Sequence, residues 1–362
     1  MNNKAFRYRI YPDREQEILF RKTFGCTRFV WNRMLSERNE GKPAEYPAHY
    51  KKEFEWLREV DSLALCNVQR QLTRAFADFC RGKSEHPKFK TKHFAKKSYT
   101  TNVVNGNIVL SDKFIRLPKL GQVRARVHRH APETWRMKSV TVTEEAGGKY
   151  YASVLYEYES QVSEHTDVKK SIGLDYAAGS LYVDSDGNSA SMPRYLKKAQ
   201  GRLKKMIRKL SKKRVKGKRI QSKRYYRLKE QIARQHEKVR HQRRDFLHKK
   251  SRELVNAYDY IGIEDLDTKE MAKVYGKSVS ENGWGMFTGM LAYKADEEGK
   301  HIIKADRYFP SSQMCHACGT LNPAVRDLCI RRWICPVCGA EHDRDHNAAI
   351  NLKKEAIRKT LQ

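Results

Sequence analysis

Residues 315–351 read CHACGTLNPAVRDLCIRRWICPVCGAEHDRDHNAAIN, and the fold of the C-terminal part turns on them. They hold two Cys-x-x-Cys pairs, Cys315/Cys318 and Cys335/Cys338, with sixteen residues between the pairs. Four thiolates at this spacing form a tetrahedral zinc site. Each pair sits on a tight turn, Gly319 and Gly339 follow the second cysteines, and the intervening segment folds back as a hairpin. Four protein ligands leave no open position for a water, so this zinc is structural. A disulfide framework would need an oxidising compartment, and Cys329, alone between the pairs, reads as a small apolar filler. Directly after the ribbon comes Asp343-Arg344-Asp345-His346. Acidic residues at the mouth of a helix favour the positive end of its dipole, which is sufficient reason for Asp343. Asp345 gains chemical meaning only if other carboxylates converge on it.

The chain has 362 residues, with 74 Lys and Arg against 42 Asp and Glu and a net charge of +32. That length holds about two or three domains, and an excess of this size points to a polyanion, of which nucleic acid is the usual one. A run of about eighteen apolar residues, the length that spans a bilayer, is absent, and the opening MNNKAFRYRIYP lacks the apolar segment of a signal peptide. Cys26, Cys66 and Cys80 are scattered. The expectation is a soluble cytoplasmic protein with no membrane partner.

Residues 4–11 alternate as a strand, and Pro12-Asp13 open a helix with apolar positions at Ile18, Leu19, Phe20, Phe24, Phe29, Val30 and Met34. Helical periodicity returns from Tyr50 to about Arg81. The next stretch, HPKFKTKHFAKKSYTTN, interleaves basic and aromatic residues in a manner suited to tracking phosphates. From Asn102 to Glu159 the pattern is strands, with NGN and GGK as hairpin turns. The simplest architecture is a small β-barrel (1–12 and 101–165) interrupted by a helical insertion (13–100), with a polar boundary at 163–170. A second, α/β domain (171–310 and 340–362) begins with the short strand Ser171–Asp175 and is split by the ribbon at 311–339. The chain is thus α+β and multidomain. Two long helices with heptad-like apolar spacing form a hairpin at 195–257. Residues 197–252 carry 25 Lys and Arg and only 3 acidic residues; so dense a one-signed run repels itself unless a polyanion neutralises it.

A second strand, YDYIGI, also ends in a carboxylate, Glu264. Asp175 and Glu264 at strand ends and Asp345 at a helix N-terminus are groups that one sheet edge can gather. Three oxygen ligands with open positions suit Mg²⁺ or Mn²⁺. Two such ions, about 3.5–4 Å apart, would activate a water and stabilise the leaving 3′ oxygen in phosphodiester cleavage. Spacing alone leaves unrelated surface carboxylates as an equal reading.

The ordered motifs GLD (173–175), IEDL (263–266), GWGMF (283–287), YFPSSQMCHACG (308–319), CPVCG (335–339) and HDRDHNAAIN (342–351) resemble the transposon-encoded TnpB family of RNA-guided nucleases, related to type V CRISPR effectors. FRYRIYP, GCTRFVWN, PKFK (87–90) and RRDFLHK (243–249) carry the resemblance nearly end to end. It implies a β-barrel wedge domain with a helical recognition insertion, then an RNase H-like nuclease domain of RuvC type split by the zinc-binding hairpin. It implies Asp175, Glu264 and Asp345 as the catalytic, Mg²⁺-binding acids, Asp343 as an accessory position, and Cys315, Cys318, Cys335 and Cys338 as zinc ligands. Ala177 departs from the glycine often found there. The implied activity is DNA cleavage beside a short motif, directed by a guide RNA from the element's end, with the protein a monomer on one RNA and double-stranded DNA as target.

Two other classes compete. A guide-dependent repressor that binds without cutting should have lost an acid, and all three are present. A transposase acting without RNA would need a strand-transfer nucleophile, and no tyrosine flanked by a histidine pair is evident.

Overall fold

The computed structural model describes the chain except residues 43–45, 93–94, 160–161, 163–166, 178, 219, 268–269, 272–282 and 362. Part of the expected boundary at 163–170 therefore lies outside the described residues. The chain divides into two compact units, Met1–Ser160 and Gln161–Gln362.

In the first unit, strand β1 (Asn2–Tyr11) leads into helix α1 (Arg14–Asn39), then α2 (Pro47–Glu53), a 3₁₀ turn at Glu55–Glu59 and α3 (Ser62–Cys80). Strands β2 (Ser98–Asn102), β3 (Val109–Leu110), β4 (Phe114–Leu117), β5 (Gly121–Arg126), β6 (Arg136–Glu144) and β7 (Tyr150–Tyr158) follow. All seven strands join one antiparallel sheet in the order β2-β6-β7-β1-β5-β4-β3. It curls around a core to which β1 gives Phe6, Tyr8 and Ile10, while Arg7, Arg9 and Tyr11 alternate to the other face. Its ends, β2 and β3, share no ladder among the described residues.

Asp13 caps α1 in a capping box with Gln16. The first half of α1 closes the curled sheet with Phe20 and Phe24. Its second half makes a separate core with α2 and α3 through Val30, Leu35, Leu57, Leu65 and Leu72. The continuous periodicity read over 50–81 is broken in the structure, because Asp61 adopts extended backbone and its carboxylate accepts from the Leu63 N–H, starting a new helix.

The second unit contains β8 (Ser171–Tyr176), β9 (Tyr182–Asp184), β10 (Ser189–Ala190), α4 (Tyr195–Lys213), α5 (Lys223–Ala257), β11 (Tyr260–Ile263), α6 (Trp284–Glu297) and β12 (His301–Lys304). Beyond them lie β13 (Arg332–Ile334), β14 (Glu341–Asp343) and α7 (Arg344–Thr360). The main sheet runs β10-β9-β8-β11-β12. Strands β8, β9 and β10 are an antiparallel meander, and β11 and β12 lie parallel to β8. Near-continuous burial of β8 and β11 follows from helices on both faces. On one face Ile172, Leu174, Ile261 and Ile263 meet Leu247, Leu254 and Val255 of α5 and Trp284, Phe287 and Leu291 of α6.

The opposite face belongs to α7. A Cβ at Gly173 would sit 1.9 Å from the Ala349 carbonyl oxygen, and one at Gly262 would sit 2.4 Å from the Leu352 carbonyl oxygen. Only glycine lets the helix backbone lie this close to both central strands.

Candidate metal centres

Strand alternation aims the two strand-end acids. Gly173 and Gly262 are paired in register and both face α7, so the next residues on that face, Asp175 and Glu264, emerge side by side under it. The two carboxyls act on each other, Glu264 pushing Asp175 up and Asp175 drawing Glu264 down. Asp345 enters from the first turn of α7 and adds its charge to both. Asp175 and Glu264 are thus neighbours at adjacent strand ends with the charge of Asp345 reaching both, while among the described residues the ligand group that gathers within 4.8 Å is the four cysteines. Asp345 is held by an ion pair with Arg331 at 3.4 Å. Asp343 serves as the helix cap, accepting from the N–H groups of Asp345 and His346.

Burial pushes the Asp175 carboxyl well above the usual carboxylate range; the charges of Glu264 and Asp345 push the same way, and the Arg344 guanidinium opposes them. Burial also raises Glu264, against the pull of the Ser311 hydroxyl, Asp175 and Arg344. Three carboxyls, with Asp175 buried and Glu264 half-buried, are offset here by two guanidiniums, Arg344 and Arg331, and remain short of positive charge. A donor set of oxygens alone fits Mg²⁺ or Mn²⁺ there.

Sequence reasoning missed three residues here. Arg344, only 8% exposed, supplies one local cation. Ser311 donates to Glu264 Oε1 at 2.7 Å. Arg331 crosses from beside the cysteine hairpin to Asp345. Arg344 lies inside the quoted HDRDHNAAIN motif and Ser311 inside YFPSSQMCHACG, so the signal was present without an assigned task.

The four cysteine sulfurs all lie within 4.8 Å of one another, with Cys315 to Cys338 and Cys318 to Cys335 each 3.6 Å apart. A tetrahedral ion with Zn–S bonds of about 2.3 Å needs sulfurs roughly 3.8 Å apart, so the cluster fits zinc. Gly319 and Gly339 have φ of +78° and +73°, and their N–H groups donate to the carbonyls of Cys315 and Cys335. Each pair therefore sits on the same left-handed turn. Hydrogen bonds with the side chain and backbone of Thr320 lower the Cys318 thiol, while Cys338, next to the other three sulfurs, is pushed up. Strands β13 and β14 form the hairpin, packed on Val325 and Trp333. Cys329 is exposed and outside the cluster. His342, buried, sits 3.0 Å from Cys315 Sγ through Nε2.

Basic surface lies elsewhere too. On α4 and α5 the buried apolar seam is narrow, Ala199, Leu203 and Val239, leaving Lys204, Lys205, Arg208 and Lys209 exposed. In the first unit a cavity of about 670 Å³ is lined by Arg21, Arg28, Lys90, Lys92 and Lys97. The PKFK segment beside it is bolted to α1. Trp31 Nε1 donates to the Lys88 carbonyl, Asn32 Nδ2 to the Lys90 carbonyl, and the Lys90 ammonium lies 3.5 Å over the Trp31 ring. Burial drops the Lys90 ammonium to about 8. Of the stretch read as phosphate-tracking, the start is thus fixed to a helix and the end is strand β2. Among the described residues no helix is long and apolar enough to cross a membrane.

Residues 284–352 match the family model described as "Cas12f1-like, TNB domain", residues 153–275 that described as "Probable transposase", and residues 1–41 a helix-turn-helix domain. Residues 1–41 fold as β1 and the single helix α1. A Streptomyces pristinaespiralis protein named "Putative RNA-guided DNA endonuclease" is 32% identical over 96% of this chain and 88% of its own. "Putative RNA-guided DNA endonuclease InsQ" of Escherichia coli (strain K12) is 29% identical over 96% of this chain and 91% of its own. Among solved structures, the cryo-EM complex of Cas12f1 with sgRNA and target DNA aligns with a TM-score of 0.59 at 12% identity, covering 97% of this chain and 98% of that one, a likeness of fold. With a 32% identical relative matched over nearly all of both polypeptides, the chain belongs to the TnpB family.

Proposed function

We propose that this protein is an RNA-guided DNA endonuclease of transposon origin, cutting DNA by metal-dependent phosphodiester hydrolysis at Asp175, Glu264 and Asp345. The observation that carries the site is that Asp175 and Glu264 directly follow Leu174 and Ile263, which are paired on adjacent parallel strands, beneath a helix whose first turn bears Asp345. A meander of three strands followed by two parallel ones supports the RNase H-like, RuvC-type reading of the second unit, and the curled sheet supports the wedge-domain reading of the first. The names of the full-length relatives support the activity and the RNA and DNA partners.

Magnesium or manganese, when bound, supplies a nucleophilic water and stabilisation of the leaving oxygen. The chain's own part is to hold three oxygen donors under α7 and to offset part of their repulsion with Arg344 until the ion arrives. Zinc at the four cysteines is structural. The guide RNA supplies sequence recognition through base pairing, so the protein needs many phosphate contacts and few base-specific ones. The exposed cations of α4 and α5 and the basic cavity of the first unit match that need.

Asp175→Ala should abolish guide-dependent cleavage of a matched DNA duplex, while guide-dependent binding in a mobility-shift assay persists. Cutting at the wild-type rate by this variant would overturn the site.

A further inference from the structure

The Ser311–Met314 turn, which sequence reading left without a task, joins the two metal centres physically. Ser311 is 4% exposed and donates through Oγ to Glu264 Oε1 at 2.7 Å. Its own carbonyl is not free to drift. Asn351 Nδ2 donates to the Ser311 carbonyl at 2.8 Å and also grips the Met314 carbonyl at 2.6 Å. Asn347, one helical turn earlier on α7, donates to the Met314 carbonyl at 2.8 Å and accepts from the His316 N–H at 2.9 Å. Both asparagines are 1% exposed, so each amide contact is made away from water. The residue after Met314 is Cys315, and Met314 itself bridges to Leu321 on the far side of the first cysteine turn.

We propose that Ser311 is a positioning residue for Glu264, and that the Asn347–Asn351 amide pair holds Ser311 in place by clamping the turn that enters the cysteine cluster. A carboxylate has two oxygens and a rotatable stem, and one hydroxyl donor fixes which oxygen is turned away from the protein. Groups that orient a ligating carboxylate in this way typically contribute roughly 10–100-fold to metal affinity. The inference rests on the reading of Glu264 as a metal-binding acid.

Mn²⁺ titrated into the full-length, zinc-loaded protein and followed by EPR tests both, with zinc content per chain as the control for an intact ribbon. Ser311→Ala should weaken Mn²⁺ binding roughly tenfold with zinc content unchanged, and Ser311→Thr, which keeps the hydroxyl, should restore most of it. Asn351→Ala should weaken it as well, and Ser311→Ala added to that variant should cost little more, because an unclamped hydroxyl is no longer aimed. Wild-type affinity in Ser311→Ala, failure of threonine to rescue, or full additivity of the two losses would each overturn the proposal. Glu264→Gln separates the two readings. If it binds Mn²⁺ as tightly as wild type, the assignment of Glu264 fails. If it loses the ion while Ser311→Ala keeps it, only the positioning role fails.

Discussion

At the residue scale, two glycines decide whether the acids can meet. The strand ends alone made Asp175 and Glu264 candidates, but nothing in their spacing distinguished them from scattered surface carboxylates. The register of β8 on β11 and the closeness of α7 supply the missing link, and that closeness depends on a missing side chain at Gly173 and Gly262. In Gly262→Ala the new methyl would lie 2.4 Å from a helix carbonyl, with backbone as the obstacle. The expected cost is about 3 kcal/mol, the upper end for overpacking, read as a lowered midpoint in chemical denaturation. The acids themselves predict a pH dependence. Burial raises Asp175 and Glu264 in the folded protein, so their protonated forms favour the native state. That contribution is complete below an unfolded value of about 4 and is lost as pH rises through the raised folded values. Protein free of divalent ions should therefore gain more thermal stability from added Mg²⁺ at about pH 8 than at about pH 5. Equal gains at both would contradict the ion replacing a proton there.

At the element scale, the motifs that stood out in the sequence turn out to be pairs that touch. Gly283, at φ +72°, opens α6 in the GWGMF motif, and a Cβ there would lie 3.2 Å from Leu247 of RRDFLHK. Trp31 and Asn32 of GCTRFVWN clasp the PKFK segment. These stretches are packing devices, which explains why they were readable as motifs while their purpose was not: a sequence displays each half of a contact without naming its partner. The cysteine spacing was different, because four ligands and two turn glycines encode their own geometry locally. Where periodicity misled, as over 50–81, a single capping carboxylate on Asp61 outweighed the apolar pattern. The hairpin's buried apolar contacts are few among the described residues, essentially Val325 and Trp333 beside Cys315 and Cys335, so it is expected to depend on zinc for its fold. Cys318→Ser should lower zinc content below one per chain and expose residues 314–342 to rapid amide hydrogen exchange, with the strands of the first unit still protected. Protection of 314–342 in zinc-free protein would show that the hairpin folds without the ion.

At the scale of the whole molecule, charge is the property that the fold does not consume. The chain carries +32, and residues 197–252 hold 25 Lys and Arg against 3 acidic residues. Folding gives those residues little to do. Helices α4 and α5 meet along a thin seam of Ala199, Leu203 and Val239, and an ion pair such as Arg234–Glu230 engages few of the cations. A helix pair whose mutual seam is so thin and whose charge repels itself so strongly is expected to be stabilised by a bound polyanion, which would remove the repulsion and release counterions. Changing Lys204, Lys205, Arg208 and Lys209, all exposed on α4, together to glutamine should weaken binding of RNA. If all four contact phosphates, the slope of log affinity against log salt should become shallower by about three. Neutral substitutions on a surface the RNA does not touch would reduce general attraction while leaving the contacts in place. The slope would then stay near its wild-type value, and the polyanion site would have to be sought in the basic cavity lined by Arg21 and Arg28 of α1 and by Lys90, Lys92 and Lys97.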